Sequence, residues 1–283
     1  MKTAILFNGK IVSADEYNPA IHGSRIYCID KNCRASLIHV PQTETASAYF
    51  KTTGKSPDSR HNEKCSFFRP LTFEESVKKV QEFHEEIFGQ QNSVIETVVR
   101  LNLNAIDPDY VPKAREQKEE SNRETSRKED IKIKNERTTP QTISSLKSIV
   151  KLFTSYEPDV LATILINVKG TKTPLSKIVV SHDIVHDLLW GDEIKNNSSY
   201  FVYGTIDKVL RREKVWYINF KPVNNVLFSL VVFNDYFKYF TYSDEQLIGK
   251  TVLAWGTLRR NMYQGKNTSE MVIKSNKYIE FIK

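Results

Sequence analysis

The stretch YFVYGTIDKV, residues 200–209, decides the predicted fold of the last third of this chain. Apolar residues alternate through it around Gly204, as in a strand with one buried face, and a glycine suits a strand that bends tightly. We expect it to belong to a strand over 200–211. Further strand-like runs lie at 214–221, 226–233, 250–260 and 271–282. Residues 235–247 are predicted to form a helical or irregular connection.

Alternation also predicts which side chains of the second and third strands face inward. The inward set is Trp216, Ile218, Phe220, Phe228, Leu230 and Val232. The outward set is Tyr217, Asn219, Lys221, Leu227, Ser229 and Phe233. Five strands with the long connection between the third and the fourth have the order of an OB-type β-barrel. We therefore predict such a barrel over residues 198–283.

The runs 200–209, 214–221, 227–235 and 248–260 resemble nucleic-acid-binding OB-fold domains. The resemblance implies that the outer face of strands two and three, with the loops after strands one and four, holds single strands by base stacking and phosphate contacts. The aromatic candidates that it implies are Tyr217, Phe233 and Tyr263. The phosphate-binding candidates are Arg211, Arg212, Lys214, Lys221, Arg259, Arg260 and Lys266.

Two other interpretations of these residues stay open. The arginine pairs at 211–212 and 259–260 could be solvated ends of hairpins. Tyr217 and Phe233 could pack against residues 141–197. OB barrels also bind proteins and saccharides, so the fold alone does not fix the ligand.

The distribution of charge favours a polyanionic partner. The chain carries a net charge of +7, and residues 199–283 contain 13 Lys or Arg against 7 Asp or Glu, so that +6 lies in the last third. Such a surplus attracts nucleic acid because neutralising phosphates releases counterions. A basic protein without such a partner is the alternative.

All three cysteines lie near the N-terminus, in the segments YCIDKNC (27–33) and RHNEKC (60–65). An odd number of cysteines argues against a disulfide framework. Cys28 and Cys33, followed by His61 and Cys65, supply the four ligands of a closed, tetrahedral, structural zinc site, which we predict here. The alternative fourth ligands are His22 and His39.

The order of a cysteine pair, the aromatic residues 49–50 and a His–Cys end resembles the small zinc-binding domain of competence-protein CoiA-like proteins. The resemblance covers roughly residues 1–68. The first cysteine pair is more widely spaced than the two-residue gap common in that family, and no His pair surrounds Phe50. The nuclease domain of that family is not recognisable here, so the resemblance implies no nuclease activity.

The whole chain is predicted to be an α+β multidomain protein. Its parts are a zinc-finger β domain (1–70), a helical extension (71–102), a charged linker (103–140), a small helical unit (141–197) and the barrel (198–283). Thr72 and Glu75 predict a capping box at the start of a helix in the helical extension. A second helical piece is predicted at 93–101. Residues 107–137 carry nine basic and nine acidic residues, and we expect them to tether two bodies that move separately.

The sequence lacks the common phosphate-loop, nucleophile-elbow and HExxH motifs. His182 and His186, with Asp183 and Asp187, are predicted to form a polar helix face, with acid–base or metal chemistry as the alternative.

We therefore predict a non-enzymatic, modular protein that binds single-stranded DNA or RNA, with the zinc finger as a second contact module. The alternative is an adaptor that docks on a partner enzyme in a phage-defence, anti-defence or mobile-element complex. Without an apolar run of about 18 residues or a signal peptide, a cytoplasmic protein without a membrane partner is expected.

Overall fold

The computed structural model describes residues 1–89, 96–112, 142–168, 170–224 and 226–283. Three sheets and several helices make up these residues, which confirms the mixed α+β class. Most of the predicted charged linker, at 113–140, lies outside the described residues. None of the described helices is long and apolar enough to cross a membrane.

The first sheet is formed by the N-terminal residues. Its strands are β1 (Thr3–Leu6), β2 (Ile11–Ser13), β3 (Ile26–Tyr27), β4 (Ser36–Val40) and β5 (Tyr49–Thr52). They pair antiparallel in the order β2-β1-β3-β4-β5. Helix α1 (Pro19–His22) follows β2, and a 3-10 turn (Pro57–Ser59) follows β5. This all-antiparallel sheet agrees with the β domain predicted for residues 1–70.

Helix α2 (Phe73–Gly89) begins as its capping residues predict. The backbone nitrogen of Glu75 donates to Thr72 Oγ1 (3.3 Å), and the backbone nitrogen of Thr72 donates to the Glu75 carboxylate (2.9 Å). Val80, Phe83 and Ile87, spaced by three or four residues, are buried on one face. The capping box is confirmed.

A second sheet corrects the helix predicted at 93–101. Its strands are β6 (Thr97–Leu101), β7 (Thr142–Ile143), β8 (Ile164–Val168) and β9 (Thr171–Pro174), in the order β7-β6-β8-β9. Thr97, Val98 and Val99 are β-branched, and they pair in parallel with β8. This long-range pairing outweighs the local helical pattern.

The region 141–197 is also more than the helical unit predicted for it. It contains α3 (Leu146–Ser155), α4 (Pro158–Leu161), α5 (Leu175–Ile178), β10 (Val179–Ser181) and α6 (His182–Trp190), besides three strands of the second sheet. Helix α4 ends at Leu161, because Ile164 starts a buried strand.

The two sides of the charged segment meet in one sheet. Leu101 pairs with Ile143 and Arg100 with Thr142, across residues 113–141. Asp159 in α4 also accepts hydrogen bonds from the first sheet. A segment that leaves and re-enters the same sheet does not join two separate bodies. The predicted tether between independently moving modules is corrected accordingly.

The last third forms a closed ring of five strands. These are β11 (Ser199–Arg211), β12 (Val215–Phe220), β13 (Phe228–Phe233), β14 (Thr251–Tyr263) and β15 (Lys266–Val272), paired as β11-β12-β13-β15-β14 and closed by β14 on β11. The ring is not evenly spaced around one axis. A 3-10 segment (Asn234–Tyr239) and α7 (Asp244–Leu247) connect β13 to β14, at the predicted place.

The fifth strand differs from the prediction of 271–282. It starts at Lys266 and ends at Val272; a 3-10 turn (Asn276–Tyr278) and β16 (Ile279–Phe281) then complete the sheet, with β10 at its other edge. Gln264 and Gly265 both have positive φ (49° and 73°) and make a tight two-residue hairpin turn between β14 and β15.

The inward faces of β12 and β13 follow the predicted alternation. Ile218, Phe220, Leu230 and Val232 are fully buried. Trp216 is only half-buried and stacks on Phe237 of the 3-10 connection, with ring centres 4.0 Å apart. The core of the ring is therefore built as the sequence predicts.

Candidate functional site

A groove crosses the outer face of the five-stranded ring. It encloses about 140 Å³ and is lined by residues from all five strands and the loop after β11. The lining residues are Leu210, Arg212, Tyr217, Asn219, Leu227, Ser229, Asn261, Tyr263, Thr268 and Glu270. The set holds two tyrosines, several polar side chains and one carboxylate. Its position matches the face on which the resemblance to OB-fold domains placed a ligand.

The aromatic side chains of the groove are accessible. Tyr263, at the end of β14, is 55% exposed, and Tyr217 of β12 is half-buried. Arg212, in the turn after β11, is exposed, and its guanidinium carbon lies 5.8 Å from the centre of the Tyr217 ring. Two aromatic faces and a solvent-facing cation thus share one concave surface.

The floor of the groove is polar and buried. Asn219, Ser229 and Glu270 are 2%, 5% and 5% exposed. The Ser229 hydroxyl donates to Asn219 Oδ1 (2.8 Å), and Asn261 Nδ2 donates to Glu270 Oε1 (2.7 Å). Buried polar groups of this kind are costly unless they are hydrogen-bonded.

Arg259 and Phe233 are linked to the groove through Glu270. Arg259 Nε and Nη2 both donate to Glu270 Oε2, at 2.9 and 2.6 Å. The guanidinium carbon of Arg259 lies 5.1 Å from the centre of the Phe233 ring. The positive charge of Arg259 is thus matched by a carboxylate, which leaves Arg212 as the cation lining the groove that has no acidic partner among the described residues.

Two predicted phosphate contacts face other parts of the fold. Arg211 donates to Asp244 Oδ1 (2.9 Å) and to the Tyr242 carbonyl (2.7 Å). Arg260 donates to the Leu189 carbonyl and to Asp192, at the C-terminal end of α6. For Arg211 and Arg260, these contacts argue against the idea that the arginines are simply solvated hairpin ends.

The remaining candidates are exposed lysines. Lys214, Lys221 and Lys266 are all exposed, and Lys266 sits opposite Tyr263 at the tip of the β14–β15 hairpin. Three of the ten predicted residues, Arg212, Tyr217 and Tyr263, therefore line one groove. No described residue of 141–197 lines it, so Tyr217 is not covered in the way that the alternative required.

The second candidate site is the group Cys28, Cys33, His61 and Cys65. Its four potential ligand atoms all lie within 4.8 Å of one another. Cys28 Sγ is 3.7 Å from Cys65 Sγ, and His61 Nδ1 is 3.2 Å from Cys65 Sγ and 3.3 Å from Cys33 Sγ. Hydrogen bonds from Cys28 and His61 lower the pKa of Cys65 to about 5. The four residues are close enough to hold a metal ion.

The alternative fourth ligands lie elsewhere. His39 Nε2 is bonded to the Ala14 carbonyl (2.9 Å), and His22 Nδ1 accepts from the backbone of Asn18 (3.0 Å). Of His22, His39 and His61, it is His61 whose ring nitrogen contacts the cysteine sulfurs.

A buried carboxylate supports the cysteine cluster. Asp30, between the first two cysteines, is fully buried and accepts from the backbone nitrogens of Asn32 (3.0 Å) and Ser66 (2.8 Å). Burial opposes its charge, but these hydrogen bonds and nearby Lys79 lower the pKa of Asp30. Asp30 thus ties the two halves of the cluster to each other and to α2.

The two histidines of α6 are hydrogen-bonded to different residues of the five-stranded ring region. His182 Nε2 bonds the Lys221 carbonyl (3.0 Å), and His186 Nδ1 bonds Ser269 Oγ (3.0 Å). A cavity of about 370 Å³ lies beside His182, between α2, α6 and β11. The two imidazoles serve different contacts and do not converge on one atom.

Alternation places Asn219 and Ser229 on the face that bears the groove, but sequence reasoning missed Asn261 and Glu270. Asn261 and Glu270 lie on the β14–β15 hairpin, and the fifth strand had been placed after residue 270. The signal was present: Gln264–Gly265 between alternating residues is typical of a two-residue hairpin turn. With the hairpin in place, alternation puts Arg259, Asn261 and Tyr263 on one face.

No family model and no curated protein matches the chain. Among solved structures, asparaginyl-tRNA synthetase from Pyrococcus horikoshii is 12% identical, with 38% of this chain and 23% of that chain covered, at a TM-score of 0.25. The asparaginyl-tRNA synthetase of Entamoeba histolytica, in complex with asparaginyl-adenylate, is 16% identical, with 37% and 23% covered, at 0.22. The match spans less than a quarter of either synthetase. Likeness at this level assigns no family and no function, and the resemblance to CoiA-like proteins stays a prediction.

Proposed function

We propose that the five-stranded ring is an OB-type barrel whose groove binds single-stranded DNA or RNA without chemically altering it. The observation that carries this proposal is the convergence of Tyr217, Tyr263 and Arg212 on one groove across the barrel face. The strand order and the position of the groove support it as well.

The chemistry of the groove suits an unpaired strand. Every base has a π-face, and stacking on an aromatic side chain contributes about 1–3 kcal/mol per base. Tyr217 and Tyr263 offer two such surfaces, and Arg212 can neutralise a phosphate. The surplus of +6 over residues 199–283 adds long-range attraction. A duplex keeps its bases stacked on each other, so the groove favours single strands.

The cluster of Cys28, Cys33, His61 and Cys65 is proposed to hold one structural zinc ion. Zinc–sulfur bonds of about 2.3 Å at tetrahedral angles place two sulfurs about 3.8 Å apart, and the Cys28–Cys65 distance is 3.7 Å. Four protein ligands leave no open position for water, so the ion would stabilise the first sheet and its packing on α2. Contact between this unit and nucleic acid stays a prediction.

Fluorescence anisotropy with labelled single strands of about 15 nucleotides tests the proposed binding. We expect binding that weakens steeply between about 50 and 200 mM salt. Replacing both groove tyrosines (Tyr217→Ala with Tyr263→Ala) should weaken it at least about tenfold, because two stacking surfaces are lost. Tyr239→Ala is the matched control, since Tyr239 is 41% exposed on the 3-10 connection and does not line the groove.

Absence of salt-dependent binding to any DNA or RNA strand would overturn the proposal. Equal losses in the groove variant and in the Tyr239 control would move the binding surface elsewhere. Capture of a polypeptide by the same groove, with no affinity for strands, would favour the adaptor function instead.

A further inference from the structure

Arg259 and Glu270 lie opposite each other on β14 and β15, on the face of the ring that bears the groove. Their Cα positions are paired in the antiparallel register, as are those of Asn261 and Thr268. Cross-strand partners share a face of the sheet, and Asn261, Thr268 and Glu270 line the groove. The Arg259 side chain therefore leaves β14 on the groove side.

The Arg259 guanidinium reaches across β15 over this face. Its carbon lies 5.1 Å from the centre of the Phe233 ring, and Phe233 belongs to β13, on the other side of β15. A guanidinium in contact with an aromatic ring is attracted by it, which restricts its movement. The Arg259 side chain is 33% exposed, so part of it stays accessible to a ligand.

Glu270 holds one edge of this guanidinium. Its Oε2 atom accepts from Nε (2.9 Å) and Nη2 (2.6 Å) of Arg259, while Oε1 accepts from Asn261 Nδ2 (2.7 Å). The Glu270 side chain is only 6% exposed. The carboxylate is therefore fixed at both oxygens, and it fixes Arg259 in turn.

The burial of this carboxylate distinguishes the pair from other arginine pairs of the ring. Asp244, which pairs with Arg211, is 40% exposed, and Asp192, which pairs with Arg260, is 81% exposed. A buried carboxylate is costly unless its partners hold it in good geometry. An exposed acidic residue would neutralise an arginine at lower cost, so the burial of Glu270 favours a role in fixing the direction of its partner.

Arg259 keeps a second edge for a ligand. A guanidinium has five N–H groups, and Glu270 accepts from two of them. The Nη1 group and the second N–H of Nη2 make no hydrogen bond to the residues that the structure describes. These two nitrogens form an edge with parallel N–H groups, which match two oxygens of one phosphate.

We infer that Glu270 is a positioning residue, which directs the free edge of Arg259 at a phosphate of the strand in the groove. This inference rests on the proposed strand binding. A long side chain loses rotamer freedom when it binds a ligand, and one that is already fixed loses less. The carboxylate by itself repels a polyanion, but it lies behind the guanidinium, whose N–H groups contact the phosphate directly. Its effect through Arg259 therefore outweighs the repulsion.

The test measures the affinity of the full chain for oligo(dT) and oligo(U) of about 15 nucleotides by fluorescence anisotropy. Glu270→Gln should weaken binding about threefold or more, although it removes a negative charge, because a neutral amide holds the guanidinium less firmly. Glu213→Gln is the matched control. It removes the same charge from the exposed turn beside Arg212 and should leave binding unchanged or tighten it.

Two variants of the arginine test the same contact without altering the buried carboxylate. Arg259→Lys keeps the positive charge but should weaken binding by a similar factor, since an ammonium group has no second edge. Arg259→Ala should lower the slope of log affinity against log salt by about 0.7, the value for one phosphate contact on a single strand.

A double variant separates positioning from a merely structural role. In the Arg259→Ala background, Glu270→Gln should no longer weaken binding, because the residue that it positions is absent. Wild-type affinity of Glu270→Gln or of Arg259→Lys would overturn the inference and leave strand binding intact. Equal weakening by Glu270→Gln with and without Arg259 would overturn it as well. Absence of binding by the wild type to every strand would remove the proposed function, and this inference with it.

Discussion

The carboxylate of Asp159 in α4 accepts a hydrogen bond from the backbone nitrogen of Thr3 in β1, at 3.0 Å. The same oxygen accepts from the Thr3 hydroxyl (3.1 Å) and from the backbone nitrogen of Lys2 (2.7 Å). Asp159 and Thr3 are both at most 1% exposed. One buried carboxylate thus joins the cysteine-bearing sheet to the helices that follow the charged segment.

Asp159→Ala should lower the free energy of unfolding by about 3 kcal/mol, because it leaves several buried donors without an acceptor. Chemical denaturation followed by circular dichroism measures the change. Asp235→Ala, at an exposed position in a helical segment, is the control and should shift stability by less than about 0.5 kcal/mol. Equal stabilities of the two variants would show that this contact does not join the parts of the chain.

The metal site gives a second prediction. Protein purified under reducing conditions should contain about one zinc ion per chain, measured by elemental mass spectrometry. His61→Ala should lose the metal, and chelation should unfold the first sheet. His22→Ala is the matched control, since His22 lies away from the thiols and should leave the metal content unchanged. A natively folded protein that contains no metal would contradict the proposed zinc site.

Gly204 in β11 makes a third prediction. A β-carbon at this position would collide with the His182 ring and with Phe220, which stack with centres 5.2 Å apart. Gly204→Ala should therefore destabilise the protein by about 1–3 kcal/mol. In Gly89→Ala the new β-carbon meets nothing within 4 Å among the described residues, and this control should be neutral or stabilising. A tolerated Gly204→Ala would mean that α6 does not pack this closely on the five-stranded ring.

The fourth prediction concerns pH. Lys274 donates to Asp109 (2.8 Å) and to Asp107 (3.0 Å), and so attaches residues 107–109 to the C-terminal sheet that contains the ring. Hydrogen bonds from Lys274 and Tyr236 lower the pKa of Asp109 below its usual value. The stability from this contact is therefore present above about pH 4, the unfolded-state pKa of Asp, and is lost as pH falls through the lower folded-state value.

Melting temperatures across pH check this contact. The difference between wild type and Lys274→Met should be constant from about pH 5 to 9 and should shrink below about pH 4. Lys250→Met, at an exposed position, is the control and should show no such dependence. If the difference in melting temperature persists undiminished well below pH 3, the Asp109 carboxylate is not the partner through which Lys274 stabilises the protein.

Local patterns in the sequence predict much of this fold. The capping pair Thr72–Glu75 marks the start of α2, and alternation identifies the buried positions of β12 and β13. The cysteine cluster was found because its ligand spacing is itself a local pattern. The strand at Thr97–Leu101 was missed, since its partners lie more than 40 residues away in sequence and pairing of that range leaves little local trace.

The candidate groove was predicted only in part for a related reason. Tyr217 could be placed from alternation on the second strand of the ring, and the resemblance to OB-fold domains placed Arg212 in the loop after the first strand. Glu270 could not, because the fifth strand was placed too late in the chain, and the role of Asp159 depends on a contact between distant segments. Which arginines already have carboxylate partners is likewise a property of the tertiary structure.

Ultraviolet cross-linking of a single strand to the full chain, followed by mass spectrometry of the linked peptides, tests the central claim most directly. We predict cross-links at Tyr217 and Tyr263, both of which line the groove. Cross-links confined to residues outside the face of the ring that bears the groove, or none at all under conditions of low salt, would contradict the claim that this groove holds a strand.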